Sequence, residues 1–191
     1  MSQRRTRSSG KLAFLTVGTT KFDKLVKAID DKLVLKTLVE SGYTRLTLQI
    51  GHGDYLPRCI VPGDGEVEAV HCMGQKRIRV DYFRLSPSLA DIMAEADLVI
   101  SHAGAGSIFE ALNAGKKVVA VPNPDLMVNH QEELAVHLSD AGFLRHSNLD
   151  GIAEAIATVE SEDLKTYVPH DASQIANAID QIVMGGFGKH Y

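Results

Sequence analysis

Short apolar runs alternate along the chain with segments whose apolar residues recur every three or four positions. The apolar runs predict β-strands at residues 12–17, 45–50, 78–83, 98–100, 117–121 and 143–144. The segments of helical period predict helices at residues 22–29, 33–39, 87–96, 107–115, 129–142, 149–159 and 172–183. This alternation predicts an α/β domain in which a mostly parallel sheet is flanked by helices.

Four of the predicted strands run directly into loops of small or polar residues. These loops are Gly18-Thr19-Thr20, Gly51-His52-Gly53, the segment from Ser101 to Gly106, and the segment from Pro122 to His130. Because the carboxyl ends of parallel strands share one edge of a sheet, we expect all four loops on one rim. Sheets of this kind bind their ligands at that rim.

The loop after the strand at residues 98–100 is the most informative of the four. It reads Ser101-His102-Ala103-Gly104-Ala105-Gly106, and a helical pattern begins at Ser107 and stops at Gly115. Such a turn leaves backbone N–H groups without intrahelical partners at the positive end of the helix dipole. Since small residues let an anion approach the backbone, the pattern predicts a phosphate site.

Composition narrows the class of protein. The chain has 191 residues, of which 45% are apolar, and this is typical of one globular domain. Its 20 basic and 24 acidic residues give a formal charge of −4, so no nucleic-acid partner is expected. Every apolar run is far shorter than the roughly 20 residues of a membrane-spanning helix, so no transmembrane segment is expected. Cys59 and Cys72 form no CxxC pair, which favours free thiols in a reducing compartment.

Two regions fall outside the strand and helix pattern. Residues 1–10 carry three arginines and no apolar partner, which predicts a disordered basic tail before a domain at residues 11–191. A transit peptide is the less favoured alternative, because the tail has no amphipathic apolar face. Residues 54–77 hold several glycines and prolines and predict a loop-rich connection with a short strand near residues 67–70.

Several motifs of other enzyme classes are missing from the sequence. GxGxxG does not follow the first strand, and GxxxxGK[ST] does not occur, which argues against NAD and against a Walker-type nucleotide site. The sequence has no HExxH motif, no Cys/His cluster and no GxSxG elbow. We therefore expect no metal site built by the protein and no cofactor.

Four stretches carry a resemblance to a known family. LTVGTTKFDKL, LTLQIG, ADLVISHAGAGSIFEAL and VNHQEELA, in this order and spacing, closely resemble the catalytic subunits of two-subunit UDP-N-acetylglucosamine transferases of the dolichol-linked oligosaccharide pathway. The resemblance covers residues 12–183 and is poorest over residues 54–77. It implies a glycosyltransferase family 28 C-terminal domain, which is a single Rossmann-like domain equivalent to the donor-binding half of a GT-B glycosyltransferase.

The resemblance also implies roles for individual residues. The residues implied to surround the donor diphosphate are Gly18, Thr19, Thr20, Ser101, His102, Gly104, Ala105, Gly106 and Ser107. Glu110 is implied to bind the ribose hydroxyls, while Asn129, His130 and Gln131 are implied to reach the transferred sugar. His102 and Glu110 are the candidate catalytic residues. A carboxylate one turn beyond a phosphate-binding helix N-terminus can accept two hydroxyl protons, and an amide can both donate and accept.

Each of these residues also has an ordinary structural explanation. Ser107 and Glu110 have the S-x-x-E spacing of a capping box. His102 can be a neutral loop histidine held by a carbonyl, and His52 is expected to be structural. Gln131 is expected on the exposed side of its helix. Helix capping is the alternative role for Thr19, Thr20, Asp23 and Asn129.

The implied reaction is an inverting transfer of N-acetylglucosamine from UDP-N-acetylglucosamine to N-acetylglucosaminyl-diphosphodolichol. It needs a general base opposite the departing UDP, and every candidate above lies on the donor side. The resemblance implies that a membrane-anchored acceptor-binding subunit supplies the other half of a heterodimer and recruits the chain to the cytosolic face of the endoplasmic reticulum. We therefore expect the isolated chain to be inactive or nearly so.

Two other functions and two uses of the C-terminal helix stay open from the residues. The chain can be the UDP-sugar-binding half of another GT-B glycosyltransferase, or a non-catalytic nucleotide-binding subunit. An apolar stripe on the predicted C-terminal helix can dock on the partner or pack on the chain's own core. The stripe consists of Ile175, Ile179, Ile182 and Val183.

Overall fold

The chain alternates between strands and helices as the sequence predicts. A computed structural model describes residues 10–58, 77–125 and 130–168. In chain order the elements are β1 (Lys11–Thr16), α1 (Asp23–Ile29), α2 (Lys32–Glu40), β2 (Tyr43–Gln49), β3 (Arg79–Phe83), α3 (Ala90–Glu95), β4 (Leu98–Ser101), α4 (Ala105–Asn113), β5 (Lys117–Ala120), α5 (His130–Asp140), β6 (Arg145–His146) and α6 (Ile152–Ser161).

The strands form one six-stranded sheet in the order β3-β2-β1-β4-β5-β6, and every neighbouring pair is parallel. From β1 the chain first builds outward through β2 and β3, and then crosses back to add β4, β5 and β6 on the other side. The strand order therefore reverses between β1 and β4, where Thr16 pairs with Ser101. A crevice at the carboxyl end of such a reversal is the usual ligand site of open parallel sheets.

Both faces of the sheet are covered by helices, which explains why the strands read as continuous apolar runs. In β1, Ala13 and Leu15 point into a cluster with apolar residues of α1, α2 and α6. Leu12 and Phe14 point into a second cluster with residues of α3, α4 and α5. Because successive side chains of a strand face opposite sides, both phases of β1 must be apolar. The predicted layered architecture is confirmed.

Several predicted boundaries are wrong, and three of them have a clear local reason. α3 begins at Ala90 rather than at Pro87, because Ser86 and Ser88 form a hydrogen-bonded turn in front of it. β6 begins two residues late, because the Phe143 N–H bonds to the Leu138 carbonyl and closes α5. α6 begins at Ile152 rather than at residue 149, because a turn that bonds to the Asn148 side chain precedes it.

Some predictions lie outside the described residues. These are nearly all of the basic tail, the strand near residues 67–70, both cysteines and the helix at residues 172–183 with its apolar stripe. Within the ranges that the structure describes, no helix is long and apolar enough to cross a membrane.

The amino edge of the sheet, opposite the loops, is held by a charged cluster around Glu160 of α6. The Glu160 carboxylate accepts from the Lys11 Nζ at 2.7 Å and from the Tyr43 hydroxyl at 2.6 Å, and Lys117 Nζ lies 3.6 Å away. Burial raises the pKa of Glu160, but the bonds from Lys11 and Tyr43 outweigh it and the net shift is downward. This cluster fixes α6 to the starts of three strands.

Candidate functional site

Two loops meet at the carboxyl end of β1 and β4, where the strand order reverses. The first loop (residues 18–20) follows β1, and the glycine loop (residues 101–106) follows β4. The two strands are hydrogen-bonded neighbours, and the His102 N–H donates to the Thr16 carbonyl oxygen at 3.1 Å. The structure therefore brings together the two segments that the sequence singled out separately.

His102 is enclosed between these loops. Its Nδ1 lies 3.3 Å from the Thr16 carbonyl oxygen, and the side chain is 7% exposed. A carbonyl can only accept, so this pairing requires the proton on Nδ1 and leaves Nε2 as an acceptor. The ring is packed against both loops, since a Cβ added at Gly18 would lie 2.9 Å from Cε1 and one at Gly104 only 2.4 Å from Nε2.

The environment keeps His102 neutral at pH 7. Burial lowers the pKa of His102 and outweighs the opposite effect of the Thr16 carbonyl. A neutral, enclosed imidazole held by a carbonyl agrees with the structural alternative for this residue. A catalytic role for His102 stays a prediction.

α4 starts at the rim, directly after the glycine loop, and its N-terminus has no side-chain cap. Ala103 is fully buried and has φ 63°, a left-handed conformation that a residue with a Cβ rarely adopts. Such backbone strain clusters at functional sites. Gly104 is the N-cap of α4 and its first turn has no side-chain cap, while Ala105 and Gly106 are exposed. Backbone N–H groups at this helix start are therefore open to an anion.

The capping-box explanation of Ser107 and Glu110 is wrong. α4 begins at Ala105, so Ser107 lies inside the first turn rather than at the cap. Ser107 is half-buried and Glu110 is exposed. Residues three apart share one face of a helix, so both side chains lie on one face just beyond the uncapped turn. Glu110 thus remains available to a ligand.

The first loop is a tight turn that leaves two threonines at the surface. Thr20 Oγ1 donates to the Val17 carbonyl at 2.7 Å, and Thr19 and Thr20 are both exposed. The predicted helix cap at Thr20 is wrong, because α1 begins at Asp23 with Phe22 as its N-cap. The Asp23 carboxylate instead accepts from the Tyr55 N–H at 3.0 Å.

The loop after β2 (residues 51–53) supports the first loop from the side. The His52 N–H donates to the Thr20 carbonyl at 3.2 Å. Gly51 has φ 57°, and a Cβ there would lie 2.3 Å from the same carbonyl oxygen. His52 itself is exposed, and only its backbone holds the first loop.

The loop after β5 is only partly described. Asn129 lies outside the described residues, whereas His130 starts α5 and is exposed, with its Nδ1 3.6 Å from Glu133 Oε2. Gln131 is half-buried, and its Oε1 is buried without a partner among the described residues. The expected solvent-exposed position of Gln131 is therefore wrong. An amide oxygen buried in this way is not exposed to a ligand, so a donor-binding role for Gln131 stays a prediction.

Ser101 differs from the other predicted donor-binding residues. It is fully buried at the end of β4, and its hydroxyl has no partner within the described part of the chain. Ser101 is therefore not exposed to a ligand at the rim in this structure, and its role in donor binding stays a prediction. No group of three or more His, Cys, Asp or Glu residues that could hold a metal ion occurs among the described residues.

Sequence reasoning missed Gln49, which ends β2 and is buried below the first loop. Its side chain bonds to the end of β1 and to the residue that follows β3. The sequence signal for Gln49 was a polar residue beside apolar ones in a predicted strand, since strands buried on both faces rarely carry polar side chains.

Comparison with known proteins identifies the family to which this rim belongs. The sequence profile of the glycosyltransferase family 28 C-terminal domain matches residues 12–182. The chain belongs to this glycosyltransferase family. The matched residues include the first loop, the glycine loop and α5, which contribute to the candidate site.

Individual relatives of this family 28 domain agree with the assignment. The mouse UDP-N-acetylglucosamine transferase subunit ALG13 is 42% identical over 134 residues, which are 70% of this chain and 10% of the mouse protein. The chain thus spans about a tenth of the length of that relative. An NMR solution structure of ALG13 has a TM-score of 0.67 and 26% identity, and the match covers 91% of this chain and 97% of that one.

A larger glycosyltransferase shares the fold alone. The crystal structure of the glycotransferase of kitacinnamycin has a TM-score of 0.51 and 20% sequence identity to this chain. The match covers 96% of this chain but only 42% of the glycotransferase. The fold of this chain therefore corresponds to less than half of that larger glycosyltransferase. The sequence resemblance and the predicted Rossmann-like fold are both confirmed.

Proposed function

We propose that the chain is the donor-binding, catalytic subunit of an inverting glycosyltransferase. In this proposal N-acetylglucosamine moves from UDP-N-acetylglucosamine to N-acetylglucosaminyl-diphosphodolichol. The observation that carries the proposal is the meeting of the first loop and the glycine loop at the strand reversal, where α4 starts without a side-chain cap. The name of the mouse relative supports the choice of donor.

The open helix N-terminus suits the leaving group of this reaction. The acceptor hydroxyl oxygen bonds to the anomeric carbon, the bond from that carbon to the UDP oxygen breaks, and the hydroxyl proton passes to a general base. Negative charge develops on UDP, and backbone N–H donors at the start of α4 would stabilise it. Glu110, exposed on the next turn, would accept hydrogen bonds from the ribose hydroxyls, and the half-buried Gln131 at the start of α5 would bind a sugar hydroxyl through its side-chain amide.

The same proposal assigns the acceptor and the general base to a second polypeptide. The chain matches 42% of a larger glycosyltransferase, and the roles implied for the candidate residues all concern the donor. We propose a heterodimer in which a membrane-anchored subunit holds the lipid diphosphate on the cytosolic face of the endoplasmic reticulum. Two domains that face each other can hold the donor on one side and the acceptor with its general base on the other, which a single domain cannot do.

The donor half of the proposal is tested by titrating the chain with nucleotides. UDP and UDP-N-acetylglucosamine should bind, and TDP- and GDP-sugars should compete poorly. Glu110→Ala should weaken UDP binding about tenfold, because it removes a charged acceptor of two hydroxyl protons. Glu154→Ala, which removes an exposed glutamate from α6, is the matched control and should bind as the wild type does. Equal affinity of both variants for UDP would contradict the assignment of Glu110.

The partner half is tested by co-expression with candidate membrane subunits, followed by assay with UDP-N-acetylglucosamine and a lipid-diphosphate acceptor. Turnover should require both polypeptides, and inversion should be visible in the anomeric configuration of the product. Robust turnover by the purified chain alone would contradict the half-enzyme proposal. Preference for another nucleotide sugar would favour a different GT-B donor half, and binding without turnover in any complex would favour a regulatory subunit.

A further inference from the structure

We propose that Gln49 is a positioning residue that sets the place of the first loop and, through it, of His102. The Gln49 side chain is 2% exposed and uses both ends of its amide. Its Oε1 accepts from Thr16 Oγ1 at 2.7 Å and from the Val17 N–H at 3.2 Å. Its Nε2 donates to the Gly18 carbonyl at 2.6 Å and to the Arg84 carbonyl at 2.7 Å.

These four bonds join three strand ends at the rim. Thr16 ends β1 and Val17 follows it, Gly18 opens the first loop, and Arg84 follows β3 on the far side of β2. A buried amide is costly unless its donors and acceptors are all satisfied, and an apolar side chain of similar size would fill the space without that cost. The amide is therefore best explained by the geometry that it imposes.

A short chain of contacts connects Gln49 to His102. Thr16 Oγ1, which donates to Gln49, accepts from the Gly18 N–H at 3.1 Å, so Gly18 is held at both its N–H and its carbonyl. Gly18 packs against the imidazole, where an added Cβ would lie 2.9 Å from Cε1. The Thr16 carbonyl holds His102 Nδ1 from the other side. A shift of Gly18 would therefore move the ring that lies beside Gly104, the N-cap of α4.

Thr47 gives an internal comparison on the same strand. It lies two residues before Gln49 on the same face of β2, is 7% exposed, and donates to an Asp81 carboxylate oxygen at 3.1 Å. That bond joins β2 to β3 without touching the first loop or the glycine loop. Loss of the Thr47 hydroxyl should thus lower stability without moving the rim.

The experiment compares Gln49→Met with Thr47→Val in the full chain, with Gln49→Glu as a second variant. Gln49→Glu keeps the acceptor oxygens but loses both donors to the Gly18 and Arg84 carbonyls. NMR spectra without ligand report the Gly18 amide and the His102 ring, thermal unfolding reports stability, and titration with UDP reports affinity. The UDP titration rests on the proposed function, whereas the ligand-free spectra do not.

Both Gln49 variants should shift the Gly18 and His102 resonances and weaken UDP binding about tenfold or more, because misplacement of binding groups by about 1 Å is costly. Thr47→Val should leave the rim resonances and the UDP affinity unchanged at a comparable loss of thermal stability. Unchanged Gly18 and His102 resonances in both Gln49 variants would overturn the proposal. Failure of the wild type to bind UDP would refute the proposed function instead, and the ligand-free spectra would still decide the role of Gln49.

A measurement on the wild type alone covers the case in which the variants do not fold. The Gln49 side-chain amide protons should exchange slowly with solvent, because the side chain is 2% exposed and both protons are bonded to backbone carbonyls. Exchange as fast as that of an exposed glutamine side chain would overturn the proposal without any substitution.

Discussion

Gly104→Ala is the substitution that tests the packing of the glycine loop most directly. Gly104 has φ −66° and ψ 128°, which alanine adopts without strain, so the effect comes from the added methyl group. That methyl carbon would lie 2.4 Å from His102 Nε2 and 2.7 Å from Cε1. Ordinary contacts between non-bonded atoms are about 3.5 Å or longer, so the ring must move by about 1 Å.

The ring has little room for such a movement. It is packed against Gly18 on one side and held by the Thr16 carbonyl through Nδ1. Overpacking of a filled site typically costs about 1 to 3 kcal/mol of unfolding free energy. For a domain of this size each kcal/mol corresponds to about 2 to 4 °C, so we expect the midpoint of thermal unfolding to fall by about 2 to 12 °C.

A second effect of the same substitution must be separated from the clash. Glycine is preferred over alanine at a helix N-cap, so part of the loss would occur even if His102 were absent. A double-mutant cycle with His102→Ala separates the two, since the clash disappears with the ring and the cap effect does not. We expect a coupling free energy of at least about 1 kcal/mol between Gly104→Ala and His102→Ala.

Gly106→Ala is the matched control in the same helix turn. A Cβ at Gly106 meets no atom within 4 Å, and alanine is favoured over glycine inside a helix by about 1 kcal/mol. Thermal and denaturant unfolding should therefore show unchanged or higher stability for this variant. A coupling free energy below about 0.5 kcal/mol between residues 104 and 102 would refute the packing argument.

Three further predictions follow from buried polar groups. Ser101→Ala should leave the unfolding free energy unchanged or raise it by up to about 1 kcal/mol, because the Ser101 hydroxyl is buried without a partner among the described residues. A lower unfolding free energy of the variant in denaturant unfolding would contradict this. Burial holds the pKa of His102 below its ordinary value, so the unfolded chain binds that proton first. The wild type should therefore lose stability relative to His102→Asn as the pH falls below about 6.5. If the difference in unfolding free energy between the two proteins were the same at about pH 7 and about pH 5, this prediction would be wrong. Tyr43→Phe should lower the unfolding free energy by about 1 kcal/mol or more, because the Tyr43 hydroxyl donates to the Glu160 carboxylate at 2.6 Å. Equal thermal stability of the variant and the wild type would show that this bond contributes nothing.

The sequence predicts the sheet well, because the strands are apolar in both phases and each ends in residues that break the pattern. Leu98-Val99-Ile100 followed by small residues predicts both a buried strand and the loop that opens the site. The register that pairs Thr16 with Ser101 cannot be predicted from the sequence of either strand alone. It depends on how the helices pack on both faces of the sheet, which no single segment encodes.

The helix starts are the part that the sequence predicts least well. Thr20 and Ser107 are good capping residues, yet the N-caps of α1 and α4 are Phe22 and Gly104. Capping depends on which residue first leaves the loop conformation, and here tertiary contacts decide that. Thr20 turns back to the Val17 carbonyl, and His102 fixes the turn that ends at Gly104.

The failure of these capping predictions bears on function. α1, α3, α4 and α6 each follow a strand at the rim, and none of them has a side-chain cap. α2, which starts within a helix–helix connection, is capped by the Asp31 carboxylate. A side-chain oxygen at the cap of α4 would occupy the N–H groups that an anion needs, and a carboxylate there would also repel a diphosphate. Local helix stability and anion binding therefore compete at this rim. Thr20 and Ser107, which stand beside the caps rather than at them, keep their hydroxyls near the open turns while the backbone donors stay free.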